Sequence, residues 1–155
     1  MPSDLPLRAR GVIAFVAAGV GEAARILLLK RKTTPVGAWC PVSGRIEAGE
    51  NAWQTALREI AEETGISGGA LYTTGVTDSF YDPAANTIEL MPVFLLMIEG
   101  ETTVTLDHSQ SEYAWLNVDA ALDRLTFAGH RMALETIRRD FVAHPPDPLK
   151  RITPP

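Results

Sequence analysis

The hydrophobic positions of this chain follow two periodicities, one typical of strands and one typical of a helix. Apolar stretches that predict strands cover Val12–Ala18, Arg25–Lys30, Leu71–Tyr81 and Thr87–Ile98. The first two are separated by a Gly-Val-Gly-Glu turn, so we expect them to pair as a hairpin. The last two flank the turn-rich loop Asp82–Asn86 and predict a second pair of strands.

Proline and helical spacing refine this pattern towards the C-terminal end. Pro92 lies inside the fourth apolar stretch, which predicts a sheet edge or a bulge there. A short strand is predicted at Tyr113–Leu116, followed by helices at Val118–Arg124 and Gly129–Val142. The second of these helices takes its apolar side from Met132, Leu134, Ile137 and Phe141.

A helical stripe occupies the middle of the chain. Trp53, Ala56, Leu57 and Ile60 recur at i, i+3, i+4 and i+7. Asn51 can cap the first turn with Gln54 returning a bond, and Gly65 can end the helix in the left-handed conformation. The sequence therefore predicts an amphipathic helix between these two caps.

Three carboxylates lie on the side of this helix away from the apolar stripe. At 100° per residue, Glu59, Glu62 and Glu63 span an arc of about 100°. Like charges at this spacing disfavour a helix, so the cluster is either an ordinary solvated face or a cation site. Carboxylate oxygens suit Mg²⁺ or Mn²⁺, and the loop Pro41–Gly49, with Gly44, allows the backbone to approach such a cation.

The spacing around these carboxylates forms a longer pattern. From Gly44 to Ile66 the chain fills every position of G-x5-E-x7-R-E-U-x-E-E-x-G-U, where U is a bulky aliphatic residue. This 23-residue segment resembles the signature of the Nudix hydrolases. The resemblance implies an α/β fold, namely an α/β/α sandwich with a mixed β-sheet, and it implies hydrolysis of a phosphoanhydride.

The resemblance also implies roles for individual residues. Glu59, Glu62 and Glu63 match the metal-ligating glutamates, and the carbonyl of Ser43 matches a backbone metal ligand, with Mg²⁺ or Mn²⁺ as the cofactor. Glu50 and Arg58 match an ion pair that orients the loop and the helix. The candidate catalytic residues are Glu62, Glu59, Arg58, Glu50 and Glu112.

The sequence does not decide which residue acts as the general base. The segment Ser111–Leu116 resembles the region after the last loop in Nudix enzymes that cleave nucleoside triphosphates or dinucleoside polyphosphates. Those relatives commonly carry an acidic residue followed by histidine where this chain has Ser109 and Gln110. The candidates for the base are Glu112, Asp107, His108 and one of the signature glutamates.

Substrate-binding candidates flank the signature segment. Arg31 and Arg45 can contact phosphates, and Trp39 and Tyr81 can stack on a base, although aromatic side chains near strands more often belong to the core. His130 and His144 have no ligand partner at metal spacing, so we expect neither to bind a metal.

Composition bounds the architecture and the partners. With 155 residues, 46% of them hydrophobic, the chain suits one domain over 1–155, with flexible termini at 1–7 and 144–155. It carries 14 basic and 19 acidic residues, a net charge of −5, so attraction of a polyphosphate must be local. This charge argues against a nucleic-acid partner and favours a small nucleotide-type substrate. A homodimer is compatible with the sequence, which leaves the oligomeric state open.

Compartment and membrane signals are weak. A single cysteine, Cys40, excludes an internal disulfide and fits a reducing cytoplasm, and a catalytic role for it lacks a neighbouring base. Arg8 and Arg10 before Val12–Ala18 resemble a short secretory signal, but the strand interpretation is favoured. No apolar run is long enough for a membrane span.

The leading hypothesis is a metal-dependent pyrophosphohydrolase. It cleaves a nucleoside triphosphate, dihydroneopterin triphosphate or a related nucleoside diphosphate derivative, and it releases pyrophosphate and a monophosphate. One alternative is a diadenosine tetraphosphate-like hydrolase. An alternative of another class is a non-catalytic nucleotide-binding sensor, against which the complete set of carboxylates argues.

Overall fold

We describe residues 4–154 from a computed structural model. The strands are β1 Leu7–Arg8, β2 Gly11–Ala18, β3 Arg25–Arg31, β4 Trp39–Cys40, β5 Val42–Arg45, β6 Ala70–Asp82, β7 Thr87–Ile98 and β8 Gln110–Leu116. The helices are α1 Ala52–Thr64, α2 Val118–Arg124 and α3 Ala128–Ile137. The predicted strands and helices are all present, and β8 begins three residues earlier than expected.

The eight strands form one mixed sheet within the described residues. The order β1-β7-β2-β3-β4 forms its path, while β5 pairs with β2, β6 with β7 and β8 with β3. The pairs β1/β7 and β2/β7 are parallel and the others are antiparallel. The predicted hairpin of β2 and β3 is confirmed, with Ala18 opposite Arg25 next to the turn.

Alternate residues of the central strand β2 enter two separate cores because successive side chains point to opposite faces of a sheet. Ile13, Phe15 and Ala17 pack with residues of α2 and α3. Val12, Ala14 and Val16 pack with residues of α1. Helices therefore cover both faces, and the expected α/β/α sandwich with a mixed sheet is confirmed.

Pro92 lies at an irregular point of the sheet. The β6/β7 register shifts between Thr73 and Thr77, and Thr77 stands opposite Pro92. Gly75, with φ +76°, lies within the irregular stretch of β6. Proline has no N–H to donate, so the β6/β7 pair lacks a hydrogen bond at Pro92, and the bulge in β6 lies next to this position. The predicted bulge is therefore confirmed, although β7 is an interior strand.

Helix α1 has the expected ends. The Asn51 N–H donates to Gln54 Oε1 at 2.7 Å, and Gly65, with φ +76°, follows the last turn. Ala56 and Ile60 are fully buried, while Trp53 and Leu57 are partly buried against the same core. The apolar stripe therefore fixes which side of α1 faces the sheet.

Helix α3 differs from its prediction in two respects. Regular α-helix ends at Ile137, and Arg138–Val142 continue as one wider π-type turn. Met132 is 71% exposed, so its assignment to the apolar side was wrong. His130 is buried on the side that Met132 was expected to share, beside Ala133 and Leu134.

The ends of the chain make contacts that their proline content did not predict. Leu7 and Arg8 pair with β7, and Ile152 N–H donates to the Leu71 carbonyl at 2.8 Å. Arg151 and Ile152 thus contact β6, and residues 1–3 and 155 lie outside the described range. No helix within residues 4–154 has the length and apolar character needed to cross a membrane.

Candidate active site

The site is built where β5 passes the middle of α1. A Cβ added to Gly44 on β5 would overlap the carboxyl group of Glu59 on α1. Glycine therefore allows the Glu59 side chain to lie directly against the β5 backbone. The preceding residue, Ser43, pairs with Ile13 of β2, so the predicted backbone ligand and Glu59 lie on neighbouring segments.

Arg58 ties the loop and the helix together. Its Nε and Nη2 donate to the two oxygens of Glu50, at 2.5 and 3.1 Å. Nη1 donates to Glu59 at 2.9 Å and to Glu62 at 3.1 Å, and Nη2 also reaches the Arg45 carbonyl at 2.9 Å. The fork geometry of guanidinium suits these paired contacts.

Glu50 is held as an anion by this arrangement. Arg58 lowers the pKa of Glu50 to about 2, with a further bond from the Thr55 hydroxyl at 2.7 Å. The Glu47 N–H also donates to Glu50 at 3.1 Å. The predicted Glu50 and Arg58 ion pair is therefore present, and it connects the loop before α1 to the carboxylates on α1.

Glu63 points in a different direction, towards β8. Gln110 Nε2 donates to Glu63 Oε1 at 2.8 Å, and both side chains are buried. Glu63 Oε2 and Gln110 Oε1 are buried acceptors without a hydrogen-bond partner among residues 4–154. Burial raises the pKa of Glu63 to about 8, and the nearby Glu59 and Asp107 charges add to this effect.

The chemistry of these groups fits a hard divalent cation. Burial also raises the pKa of Glu59, an effect that the bond from Arg58 opposes and the Glu62 charge adds to. Glu62 is 57% exposed at its side chain and is bonded to Arg58. Within residues 4–154, no three acidic, histidine or cysteine side chains are already gathered as a ligand set. Three carboxylates still lie along one side of α1, the acidic face, comprising Glu59, Glu62 and Glu63.

The three candidates for the general base outside the signature occupy different positions. Asp107 lies near Glu63, whose pKa its charge raises, and its Oδ1 accepts from Ser109 N–H at 2.9 Å. His108 is exposed. Glu112 is paired with Lys30 at 3.6 Å on β3, and Lys30 follows Ile26 and Leu28, which pack on the α2 and α3 side of the sheet. The structure therefore does not bring Glu112 together with the acidic face.

A cavity opens on the other side of β5. It has a volume of about 600 Å³, and its lining includes Ser43 from β5 and Arg31 from β3. Phe80 and Tyr81 of β6 form one wall, and Phe127 before α3 forms another. We call this space the aromatic cavity. Because Ser43 and Gly44 are adjacent, it lies one residue along β5 from the point where Glu59 packs.

The predicted substrate-binding residues divide between this cavity and other surroundings. Arg31 and Tyr81 line it. Arg45 is an exposed residue next to the site, and its carbonyl accepts from Arg58. Trp39 packs against the core shared with α2 and α3, and the Arg124 guanidinium lies 4.9 Å from its ring centroid. Trp39 is therefore partly buried against this core and is not among the residues that line the aromatic cavity.

Sequence analysis missed two residues of the cavity, one acidic and one aromatic, and undervalued a third. Asp78 and Phe127 were not singled out, and His130 was considered only as a metal ligand. All three line the cavity, with Asp78 Oδ2 4.0 Å from His130 Nε2. These residues are far apart in sequence, so only the folded chain brings them together.

Two further titratable groups are kept neutral by burial. Burial, with the charge of Arg31, lowers the pKa of His130 to about 4. Burial raises the pKa of the Cys40 thiol to about 11. A buried thiol of raised pKa is a poor nucleophile, which agrees with the expectation that Cys40 has no catalytic role.

Comparison with protein-family models identifies a NUDIX domain over residues 7–137, most of the chain. An octanoyltransferase from Myxococcus xanthus is 34% identical over 143 residues, covering 88% of this chain and 38% of that protein. The chain thus spans less than half of the length of that relative.

Two other comparisons extend over nearly whole proteins. The asymmetrical bis(5'-nucleosyl)-tetraphosphatase of Sus scrofa is 29% identical over 136 residues, covering 84% of this chain and 92% of that protein. The Escherichia coli dihydroneopterin triphosphate pyrophosphohydrolase superposes with a TM-score of 0.70 at 24% identity, covering 85% of this chain and 96% of that chain. The second likeness shows a shared fold.

Proposed function

The chain belongs to the NUDIX family, and we propose that it hydrolyses a phosphoanhydride bond in a nucleoside triphosphate or a related nucleoside diphosphate derivative. The observation that carries the proposal is the acidic face beside Gly44, where Glu59 packs against β5 and its charge acts on Glu63. Within residues 4–154 the buried Glu63 Oε2 has no hydrogen-bond partner. The likeness to the tetraphosphatase of Sus scrofa, a protein named for a nucleotide substrate, supports the same class.

Glu59, Glu62 and Glu63 would hold Mg²⁺ or Mn²⁺, with the Ser43 carbonyl as a backbone ligand. When bound, the cation neutralises phosphate oxygens and lowers the pKa of a water molecule. Arg58 holds Glu59 and Glu62 on one side of α1, and Gln110 fixes the rotamer of Glu63 through its 2.8 Å bond. Arg58 and Gln110 are thus positioning residues, because they act through the carboxylates.

Asp107 is the group that we assign as general base. Its Oδ1 is held by the Ser109 N–H and hydroxyl, at 2.9 and 2.5 Å, while Oδ2 has no protein hydrogen bond among residues 4–154. Its charge acts on Glu63, so it lies within electrostatic range of the acidic face. Glu112, paired with Lys30 on the other side of the sheet, is less suited to this role.

The proposed step is an in-line displacement at the α-phosphorus. A water oxygen forms a new bond to phosphorus, and the bond from phosphorus to the bridging oxygen of the β-phosphate breaks. The water proton passes to Asp107, and the leaving pyrophosphate keeps the electron pair of the broken bond. Arg31, at the junction of the cavity and the acidic face, would contact the phosphates.

Product analysis tests this proposal directly. The protein is incubated with a panel of nucleoside triphosphates and Mg²⁺ in ¹⁸O-labelled water. We expect pyrophosphate to be released and the label to appear in the nucleoside monophosphate. Label in pyrophosphate would place the attack at the β-phosphorus, and no release of any product from the panel would contradict the proposed activity.

A second candidate is a dinucleoside polyphosphate hydrolase. The Sus scrofa relative favours it, because the match covers 92% of that protein. The same chemistry on a diadenosine tetraphosphate would give two nucleotides and no pyrophosphate. A kcat/KM for that substrate at least tenfold above every triphosphate would favour this second candidate.

A further inference from the structure

We propose that the aromatic cavity binds a base whose pyrimidine ring carries a 2-amino and a 4-oxo group, as the pyrimidine rings of guanine and pterins do. We call the side of the ring with the 2-amino group and the adjacent ring N–H the 2-amino-4-oxo edge, and we propose that Asp78 accepts hydrogen bonds from it. The inference rests on the proposed function, because it names the substrate class of the same site. Its basis is the cavity beside β5, in which the polar side chains of Asp78, His130 and Arg31 lie among apolar walls.

The size and walls of the cavity fit a planar heterocycle. A volume of about 600 Å³ is in the range of small-molecule sites, and aromatic walls favour stacking on a π-face. Phe80 and Phe127 are both exposed in the protein alone. Large apolar side chains left accessible in a concave space are typical of a ligand site rather than of a packed core.

The position of the cavity places a base correctly relative to the proposed chemistry. Ser43 lies in the cavity lining, and Glu59 packs against the next residue of β5. Arg31 lines the cavity and its charge also acts on Glu63. A nucleotide with its base in the cavity therefore has a path for its phosphates past Arg31 towards the acidic face.

Asp78 supplies a rigid acceptor inside this space. Its side chain is only 9% exposed, and a Cβ added to Gly129 would overlap its carboxyl group. Gly129 lies in the first turn of α3, where the helix dipole favours negative charge. Among residues 4–154 the Asp78 carboxylate has no cationic side-chain partner, because the His130 ring nitrogen is 4.0 Å away and uncharged at neutral pH. Burial raises the pKa of Asp78, and hydrogen bonds donated by a ligand to its carboxylate would lower it.

Two buried atoms near Asp78 also lack partners. His130 Nδ1 and Arg31 Nε have no hydrogen-bond partner among residues 4–154, and both side chains line the cavity. A buried polar atom without a hydrogen-bond partner destabilises the protein, and a ligand that forms the missing hydrogen bond removes this destabilisation. A neutral histidine offers one donor and one acceptor, and the arginine Nε offers a donor.

The donor and acceptor pattern of each base decides which base fits. An ionised carboxylate only accepts hydrogen bonds. The 2-amino-4-oxo edge presents two adjacent N–H donors, so both oxygens of Asp78 can be satisfied at once. Adenine presents one N–H donor beside a ring nitrogen that only accepts hydrogen bonds. That ring nitrogen would lie against a carboxylate oxygen, and two acceptors cannot form a hydrogen bond with each other. The cavity should therefore discriminate against adenine.

The test measures binding and turnover separately. Isothermal titration calorimetry with α,β-methylene analogues of GTP, ITP and ATP gives Kd without hydrolysis, and the natural triphosphates give kcat/KM. We expect GTP to exceed ATP by about 10- to 100-fold in both quantities. ITP, which lacks the 2-amino group, should fall between them.

The substitution Asp78→Asn assigns this preference to one residue. An amide can donate to the acceptor nitrogen of adenine, so the GTP to ATP ratio should fall by about tenfold or more. Asp123→Asn on exposed α2 is the matched control and should keep the wild-type ratio. Thermal denaturation shows whether each variant is folded, and the ITP to ATP ratio of wild type gives a second measure independent of the variant.

Separate outcomes decide the two proposals. Equal kcat/KM for GTP, a pterin triphosphate and ATP would overturn the base assignment while leaving the hydrolase proposal in place. Tight binding of the GTP analogue without turnover of any triphosphate would support the base assignment and reject the hydrolase proposal. A pterin triphosphate used in parallel shows which of the two sources of this edge is preferred, and failure of both against ATP would overturn the inference.

Discussion

The acidic face and the aromatic cavity lie on either side of β5, yet they are encoded in opposite ways. The acidic face comes from one helix and the loop before it, in a fixed register between Gly44 and Ile66. The cavity draws residues from β3, β6 and α3, including Arg31, Asp78 and His130. A shared signature can therefore specify the proposed chemistry while distant segments vary the substrate.

This difference predicts different kinetic consequences on the two sides of β5. Loss of a group on the acidic face should lower kcat, since those side chains would act on the reacting phosphate. Loss of a group in the aromatic cavity should raise KM for the matching substrate more than it lowers kcat. The following substitutions test this separation, in order of expected effect.

The largest effect is expected for Glu63→Gln. The substitution keeps the size of the side chain but removes the charge that would hold the cation, so kcat should fall by about 10²- to 10³-fold. Glu101→Gln, in the exposed loop before β8, is the control and should retain wild-type kcat. Steady-state kinetics at saturating Mg²⁺ measure the effect, and a decrease of less than tenfold would argue against Glu63 as a ligand.

Arg58→Lys should have the next largest effect. Lysine cannot reproduce the paired bonds to Glu50 together with those to Glu59 and Glu62, so we expect kcat to fall by about 10- to 100-fold. KM should change little.

Arg138→Lys is a matched control for this substitution. Arg138 also bridges two carboxylates, Glu135 and Asp119, but at the surface in the π-type turn after α3. Surface ion pairs contribute little, so its activity should stay at the wild-type level. Equal loss in the two variants would mean that Arg58 acts only through general stability.

Phe127→Ala tests the cavity. Removal of a stacking surface should raise KM about tenfold and leave kcat within about threefold of wild type. Met132→Ala, which changes an exposed apolar residue of the following helix α3, is the control. A fall in kcat with unchanged KM would contradict the assignment of Phe127 to substrate binding.

The smallest effect concerns stability at low pH. The pKa of His130 is about 4 in the folded protein and about 6.5 when unfolded, so the unfolded chain binds a proton first as the pH falls. The free energy of unfolding should therefore decrease between pH 6.5 and 4. Asp78, at 4.0 Å, and Arg31 are the charged groups that face this ring.

The variant His130→Asn isolates this contribution. Carboxylates titrate in the same range, so the measured quantity is the difference between wild type and variant in urea unfolding at several pH values. We expect the wild type to lose on the order of 1 kcal/mol more than the variant. Parallel curves for the two proteins would contradict the prediction.

The fold could be predicted from sequence largely because its signals are local. The apolar runs of β2 and β7, the stripe and caps of α1, and the signature spacing each lie within one short segment. Met132 is exposed where an apolar side was predicted and His130 is buried, because α3 packs with a rotation that its own periodicity does not fix. The docked C-terminal segment depends on a hydrogen bond to Leu71, far away in sequence.

The candidate site divides in the same way. The contact of Arg58 with Glu50 agrees with the predicted ion pair, whereas its bonds to Glu59 and Glu62 were not predicted. Gln110 was noted only as a departure from the pattern of relatives, and its bond to Glu63 needed the folded β8 to be seen. The bulge between Gln110 and Glu112, opposite Arg31 and Lys30, turns Glu112 away from the acidic face.

The central claim is that the carboxylates of α1 hold a divalent cation, and Mn²⁺ binding measured by electron paramagnetic resonance tests it most directly. Free Mn²⁺ should disappear stoichiometrically on titration into wild type and into Glu112→Gln, whose residue lies on the other side of the sheet. Glu59→Gln and Glu63→Gln should each weaken binding by about tenfold or more. Equal binding by all four proteins, or no binding by wild type in the presence of a non-hydrolysable triphosphate, would contradict the account.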